Sequence, residues 1–529
     1  MPQVMDSTGQ LTFSQLGFLF LGALTFYAFI RCIYLLYFHP ASKFPGPRLA
    51  AVSNVWFAYH WMTGKYPMTI AKTLDKYVRI APNELVFITP QAATDIYASH
   101  TKHIEHFHKT NSIELGVGDQ GITWEKDPYK HQKIAKTLAP SFSVKSIKGK
   151  EPVMHKYIDL FVEKMKEFGG VEEGIELKMV WLILLYTRGF KLWGSLMEKQ
   201  WADWVALDIA CELAYSHELN QLRDIWGINF FIVIHQILHK FSLLQPLQFL
   251  FVPPKALLNE LRARKVNHQA LLARIANCGK GEHFDHMEVL LPPPHEEVPK
   301  GREFQKIETV AAQVMLAGYE PPASQFLCTI MFLLQEERMA EKGFLEVVVK
   351  EVRGRFGRYE DITTDALAGM VGLNAALMES LRLTVIAGHG LPRVSPGTTV
   401  DGTYVEKGIK VQYSHYGFTR SPLYFSQPHS FRPQRWLPPS HPRYDSLFAN
   451  DARDSFHPFS QGPRSCPGKA LAWRETRLFI AKVLWSFDVE AVEEKARGLD
   501  FERDFKMLGM WEKPEFWVRM KEVPKEGRE

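Results

Sequence analysis

Phe459-Ser460-Gln461-Gly462-Pro463-Arg464-Ser465-Cys466-Pro467-Gly468 reads F-x-x-G-x-R-x-C-x-G and runs directly into an apolar stretch of helical period, Lys469 to Phe487. These residue types share a physical logic. A cysteine on a glycine-flanked loop just before a helix faces the positive end of the helix dipole and free backbone N–H groups, and both favour a thiolate. Gly462 and Gly468 let the backbone approach a flat ligand closely and take turns closed to other residues. Arg464, two residues before Cys466, is placed to pair with a carboxylate on that ligand. The competing reading is a buried structural cysteine, since free cysteine is among the most buried residue types.

The run resembles the haem-binding loop of the cytochrome P450 family, whose cysteine thiolate pushes electron density onto haem iron and so favours O–O cleavage. The resemblance extends from about Pro40 to Val518 and points to filamentous-fungal microsomal members of secondary metabolism. It implies a mainly α fold with small β-sheets behind an N-terminal transmembrane helix. It implies haem b as cofactor, Cys466 as the metal ligand, and Phe459, Gly462, Arg464 and Gly468 around it. Two further propionate contacts follow from the resemblance. Arg393, in Leu391-Pro392-Arg393, matches one. The other falls in Asp127-Pro128-Tyr129-Lys130-His131, where Ala135 replaces the family's arginine and His131, Lys133 or Lys136 takes its place, His131 being preferred.

Glu379-Ser380-Leu381-Arg382 sets a carboxylate and a guanidinium at i and i+3 on one helix face. Most such pairs are solvated, but this one lies in an apolar helix, Leu373 to Leu383, and a buried pair needs further hydrogen bonds. Arg435, in Phe431-Arg432-Pro433-Gln434-Arg435-Trp436, is a source of them. By resemblance Glu379, Arg382 and Arg435 form the structural triad on the thiolate side of the haem pocket.

A long helical stretch from Glu303 to about Arg338 contains Ala317-Gly318-Tyr319-Glu320. The resemblance places it over the oxygen-binding face, with Gly318 admitting dioxygen or substrate and Glu320 in proton relay. Pro321 and Pro322 follow, depriving the carbonyls of Ala317 and Gly318 of their helical donors, so a kink is expected here. The family usually has threonine where Pro321 stands, and its hydroxyl helps deliver protons to bound oxygen. Ser324, about one turn on, is the expected substitute. Alternatively the substrate supplies the hydroxyl, or the reaction is an oxidative rearrangement, ring expansion or desaturation. A non-catalytic haem-binding product is a further alternative.

The remaining features bound these readings. The 529 residues are 46% hydrophobic and 13% aromatic, enough for one large core, and a net charge of +5 without a dense basic run argues against a nucleic-acid partner. Cys32, Cys211, Cys278, Cys328 and Cys466 are odd in number and form no C-x-x-C, which suits a reducing compartment better than a disulfide framework. Leu11 to Ile30 carries no charge and has the length of a membrane span, closed by Arg31. Basic residues follow the span and none precedes it, which predicts a single-pass anchor (residues 11–38) in the endoplasmic reticulum membrane with the catalytic domain (39–529) cytosolic. His39-Pro40 to Pro47 makes a stiff turn after it. Strands are expected at Val78 to Ile80, Leu85 to Ile88 and Thr399 to Tyr413. Lys76-Tyr77-Val78-Arg79 is a few residues short of the family's glycine-containing turn. His103, His106 and His108 read as solvated residues of a mobile loop over the substrate pocket, in preference to a zinc site.

Met179 to Gln200 reads as a 22-residue insertion or retained intron, since in related fungal sequences the equivalents of Lys178 and Trp201 nearly adjoin. The alternative is a surface helix that dips into the membrane. No G-x-G-x-x-G sits on a strand–helix junction, so electrons are expected from a separate NADPH-dependent flavoprotein reductase. The expected function is haem-thiolate oxidation of an apolar small molecule by dioxygen.

Overall fold

The computed structural model describes residues 13–73, 75–110, 121–172, 174–176, 201–224, 265, 267–277, 284–293, 296–339, 343–388, 390–496, 500–507 and 510–524. The expected insertion at Met179 to Gln200 and Cys278 lie outside the described residues.

The uncharged N-terminal stretch forms helix α1 (Phe13–Ile33), long and apolar enough to cross a membrane. Phe18, Leu21, Phe26 and Phe29 stand exposed on it, so its surroundings rather than the fold must cover them. Arg79 ties the end of this segment to the body: its guanidinium donates to the Leu35 carbonyl at 2.9 Å and the Pro82 carbonyl at 2.7 Å.

Five more helices position the site. Helix α2 (Pro128–Leu138) starts at Asp127, whose carboxylate accepts from the N–H groups of Tyr129 and Lys130, with proline at its first position. Helix α3 (Trp201–Tyr215) is buried along its whole length, its acids Asp203, Asp208 and Glu212 included. It packs along helix α4 (Arg302–Met339), which continues through Pro321 and Pro322 as one element. Tertiary packing holds α4 beyond the prolines: Phe326 stacks on Phe479 with centroids 4.0 Å apart, and Phe479 meets Phe161. Helix α5 (Val371–Leu383) and helix α6 (Lys469–Ser486) complete the core around α4. The expected helix after the cysteine loop is thus present, ending where Phe487 turns into a strand.

The main sheet joins distant segments: β1 (Tyr77–Ala81), β2 (Glu84–Phe87), β3 (His108–Lys109), β4 (Arg393–Val394) and β5 (Lys410–Tyr413), in the order β1-β2-β5-β4-β3. The pairing of β5 with β2 is parallel and the others are antiparallel. The β-like stretch from Thr399 resolves into Thr398–Val400, Thr403–Val405 and β5. Near the C-terminus a small hairpin, β6 (Lys506–Met507) and β7 (Trp511–Glu512), is pinned by the Trp511 indole N–H on the Val385 carbonyl at 2.8 Å. The strands Phe487–Ala491, Trp517–Glu522 and Ile175–Glu176 form a third, antiparallel sheet.

Candidate active site

The cysteine loop is shaped by its glycines, each in its own way. Gly462 has φ +74°, and a Cβ there would lie 2.0 Å from the Tyr97 carbonyl oxygen, so this glycine serves loop-to-protein contact. Gly468 is the one beside the thiol: the nearest atom to a Cβ at that position is Cys466 Sγ, at 3.8 Å. The Cys466 N–H donates to the Phe459 carbonyl at 2.9 Å, and Cys466 itself is exposed. Burial of the thiol group pushes its pKa above the ordinary value, while the N–H groups of Gly468 and Lys469 pull it down. The expected amide donors are present, but desolvation outweighs them in the protein alone. A coordinated metal removes such a proton outright.

Glu379, Arg382 and Arg435 come together in complete burial. Arg382 holds Glu379 with two bonds, at 2.9 and 2.8 Å, and Arg435 Nε adds one at 3.0 Å. The Trp436 indole and the Arg432 N–H complete the carboxylate's bonding. Burial alone would raise the Glu379 carboxyl, but Arg382 and Arg435 hold it down to about 2. Burial lowers Arg382 to about 10 against the pull of Glu379. Its other donors reach the carbonyls of Thr419, Pro428 and Ser430, so no charge is left without hydrogen bonds. Asp451, not singled out from the sequence, binds Arg435 from the far side.

A second charged cluster lies above the cysteine loop. Arg464 is engaged by Glu105 at 2.6 Å and by the carbonyls of Glu125 and Lys126. Arg393 is buried over the Tyr97 ring, and β3 sets Lys109 directly across from it. Burial, then Arg393 and Arg464, depress Lys109 to about 7 despite Glu105. Burial and the Arg464 charge depress His131 to about 4. Of the three residues weighed on α2, only His131 is turned inward, Lys133 and Lys136 being exposed. Three basic side chains thus face one carboxylate, an imbalance that fits a ligand bearing two carboxylates. Lys109 and Glu105 were missed by sequence reasoning. Glu105 and Phe107 are buried while His106 and His108 are exposed, but Ile104-Glu105-His106-Phe107-His108 carries no apolar alternation that would announce this. His103, His106 and His108 are exposed, with His106 bonded to the Ser99 and Thr101 hydroxyls at 2.8 Å each.

On α4 the expected residues divide between two faces. Ala317 is exposed and Pro321 half-buried, one turn apart. Gly318 instead lies against α3, where a Cβ would make an ordinary contact with Ala210 at 3.5 Å. Ser324 lies deeper. It is fully buried, donates to Glu320 Oε1 at 2.7 Å and accepts from Lys513 Nζ at 2.8 Å. Residues 320 and 324 share a face, as do 317 and 321, and the two faces differ by one residue's rotation of the helix.

The sequence model of the family described as Cytochrome P450 matches residues 44–518. The chain is 41% identical over 510 residues to "Cytochrome P450 monooxygenase TwmD" of Talaromyces wortmannii, covering 94% of each. It is 30% identical over 520 residues to "Cytochrome P450 monooxygenase btcC" of Colletotrichum orbiculare, covering 94% of this chain and 92% of that one. Similarity to "Cytochrome P450 monooxygenase poxC" of Penicillium oxalicum is 31% over 495 residues, 92% of this chain and 91% of the relative.

Proposed function

The chain belongs to the cytochrome P450 family and is a monooxygenase of that family, and from this premise we propose that it oxidises an apolar small molecule of fungal secondary metabolism. The observation that carries the reading is the exposed Cys466 at the head of α6, with a cationic cluster of Arg393, Arg464 and Lys109 nearby in the fold. Haem b fits this donor set. Cys466 would ligate its iron, while Arg393, Arg464, Lys109 and His131 would hold its two propionates. Bound haem supplies the activation of dioxygen by two electrons. Those electrons come from a separate NADPH-dependent flavoprotein reductase, and α1 anchors the enzyme in the endoplasmic reticulum membrane with its catalytic domain in the cytosol.

The chain's own residues do the rest. Glu379, Arg382 and Arg435 hold the thiolate side rigid. Glu320 would relay protons: Oε1 accepts from Ser324, while Oε2 is buried and, among the described residues, has no hydrogen-bond partner, so a bound water is its natural complement. Ala317 and Pro321 present an apolar face suited to an apolar substrate.

A second reading is favoured by Pro321. No hydroxyl occupies that position, and Ser324 is committed to Glu320 and Lys513. An oxidative rearrangement, ring expansion or desaturation, or a substrate that brings its own hydroxyl, suits such a site. The carbon-monoxide difference spectrum of the reduced microsomal protein tests the first reading: a red-shifted Soret band typical of thiolate ligation is expected, and a histidine-type band or none would overturn it. Labelled dioxygen separates the two readings by whether label enters the product.

A further inference from the structure

Lys513, immediately after β7, is buried at 2% exposure beneath α4. Its ammonium donates to Ser324 Oγ at 2.8 Å and stands 3.5 Å from Glu320 Oε1. The same oxygen accepts the Ser324 hydroxyl at 2.7 Å. One lysine thus binds an acid and a hydroxyl that lie one turn apart on the helix. The other groups facing this cluster are Asp203 on α3, Tyr319 and Cys328. The Tyr319 hydroxyl donates to Asp203 at 2.9 Å.

A buried ammonium without an anion would lose its proton or leave the core. Burial lowers Lys513, but Glu320, then Asp203 and Cys328, outweigh it and leave its pKa raised. Asp203 is pushed up to about 6 by burial, against the pull of Lys513. The lysine's backbone is held by a rigid arm. Trp511, two residues earlier, is bonded to Val385 and packed against Tyr416, Phe501 and Phe505.

We propose that Lys513 is a positioning residue for proton delivery, fixing Ser324 and Glu320 as one hydrogen-bonded unit so that Glu320 Oε2, buried without a partner among the described residues, is the oxygen that exchanges protons with a bound water. The lysine neither gains nor loses a proton over a cycle: the carboxylate takes up a proton at Oε2 from one water, gives it to the next, and ends as it began. Fixed hydrogen bonds from a supporting residue are what hold such a group in its working geometry. The proposal rests on the reading of Glu320 given above.

The test uses the full-length holoenzyme with Lys513→Met, Lys513→Arg, Glu320→Gln and the double variant Lys513→Met/Glu320→Gln. Lys513→Met should lower the melting midpoint and produce an infrared band of a protonated carboxyl that is absent from the double variant. The double variant should regain most of the lost midpoint, and it should fold and bind haem even where Lys513→Met does not. Lys513→Met and Glu320→Gln should each raise peroxide release per NADPH and cut product formation roughly tenfold or more, while Lys513→Arg retains the parent pH profile. Additive losses of midpoint with no Glu320-dependent band, or a double variant as unstable as Lys513→Met, would overturn the proposal. Glu320→Gln with unchanged peroxide release would sink the reading of Glu320 itself, whereas a leak in Glu320→Gln but not in Lys513→Met would sink only the role of Lys513.

Discussion

Lys109 stands directly opposite Arg393 across the antiparallel pair β3–β4. Like charges at facing positions destabilise a sheet, and here Arg464 adds a third cation from the cysteine loop. The sheet tolerates this arrangement because an anion belongs beside it. Glu105 supplies one carboxylate, and the two propionates of haem would supply the rest. Replacing Lys109 with methionine should therefore hasten haem loss about tenfold or more, the worth of one charge-assisted hydrogen bond. Transfer of haem to apomyoglobin would measure it.

Lys109 also makes the haem-free protein sensitive to pH. Its native pKa of about 7 lies below the ordinary 10.5. Between those values the unfolded chain binds a proton that the native chain does not, so stability rises with pH across that window. With propionates beside it the lysine keeps its proton and the rise should flatten. Melting midpoints from pH 7 to 10, with and without haem, and in Lys109→Met, check this.

The triad should answer to pH in the opposite range. Glu379 is held at about 2 against an ordinary 4.5. Its contribution is present above pH 4.5 and is lost as pH falls from there toward 2. Removing the carboxylate, as in Glu379→Ala, leaves Arg382 and Arg435 buried without a counter-charge and should cost about 3–5 kcal/mol. Arg382→Lys should fare nearly as badly, because an ammonium cannot reproduce the paired bonds to Glu379 and the three carbonyl contacts. Loss of haem-binding protein on expression, and acid unfolding of the parent, are the measurements.

Local patterns explain what was legible in the sequence. The cysteine loop, the i, i+3 pair of Glu379 and Arg382, and the apolar periods of α1, α4 and α6 depend on neighbours along the chain, and these were read with near-correct bounds. Lys109, Glu105, Asp451 and Lys513 were not read, because each acquires meaning only through a partner far away in sequence. Lys513 meets residues 320 and 324 through a hairpin that no period announces. Sequence spacing does not tell which neighbours Gly318 and Ser324 meet: Gly318 lies against Ala210 of α3, and Ser324 is buried beside Lys513. The resemblance named these residues, but only the packing of α3 on α4 decides which way they point.

Gly462 offers a test of the loop that is independent of charge. An alanine there would need φ near +74° and would drive its Cβ to 2.0 Å from the Tyr97 carbonyl. Either the loop or the Tyr97 turn must move, and Cys466 lies four residues on. Gly462→Ala should lose most of the thiolate-type carbon-monoxide band. Gly468→Ala, with only ordinary contacts at 3.8 Å, should retain more of it.

Pro321 is the position where chemistry and stability can be changed together. A proline inside a helix removes an N–H and crowds the preceding turn, at a cost of about 3 kcal/mol. Pro321→Thr restores a donor for the Ala317 carbonyl, and the gain should be about 1–3 kcal/mol, reduced because α4 is already shaped around the proline. The threonine would also stand one turn from exposed Ala317, on the face that Ser324 does not reach. If the parent performs ordinary hydroxylation with poor proton delivery, this variant should release less peroxide and incorporate more labelled oxygen. An oxidative rearrangement needs no such hydroxyl, so there the variant should melt higher while its product ratio stays fixed. Calorimetry and labelled-dioxygen incorporation on the same preparation read both effects.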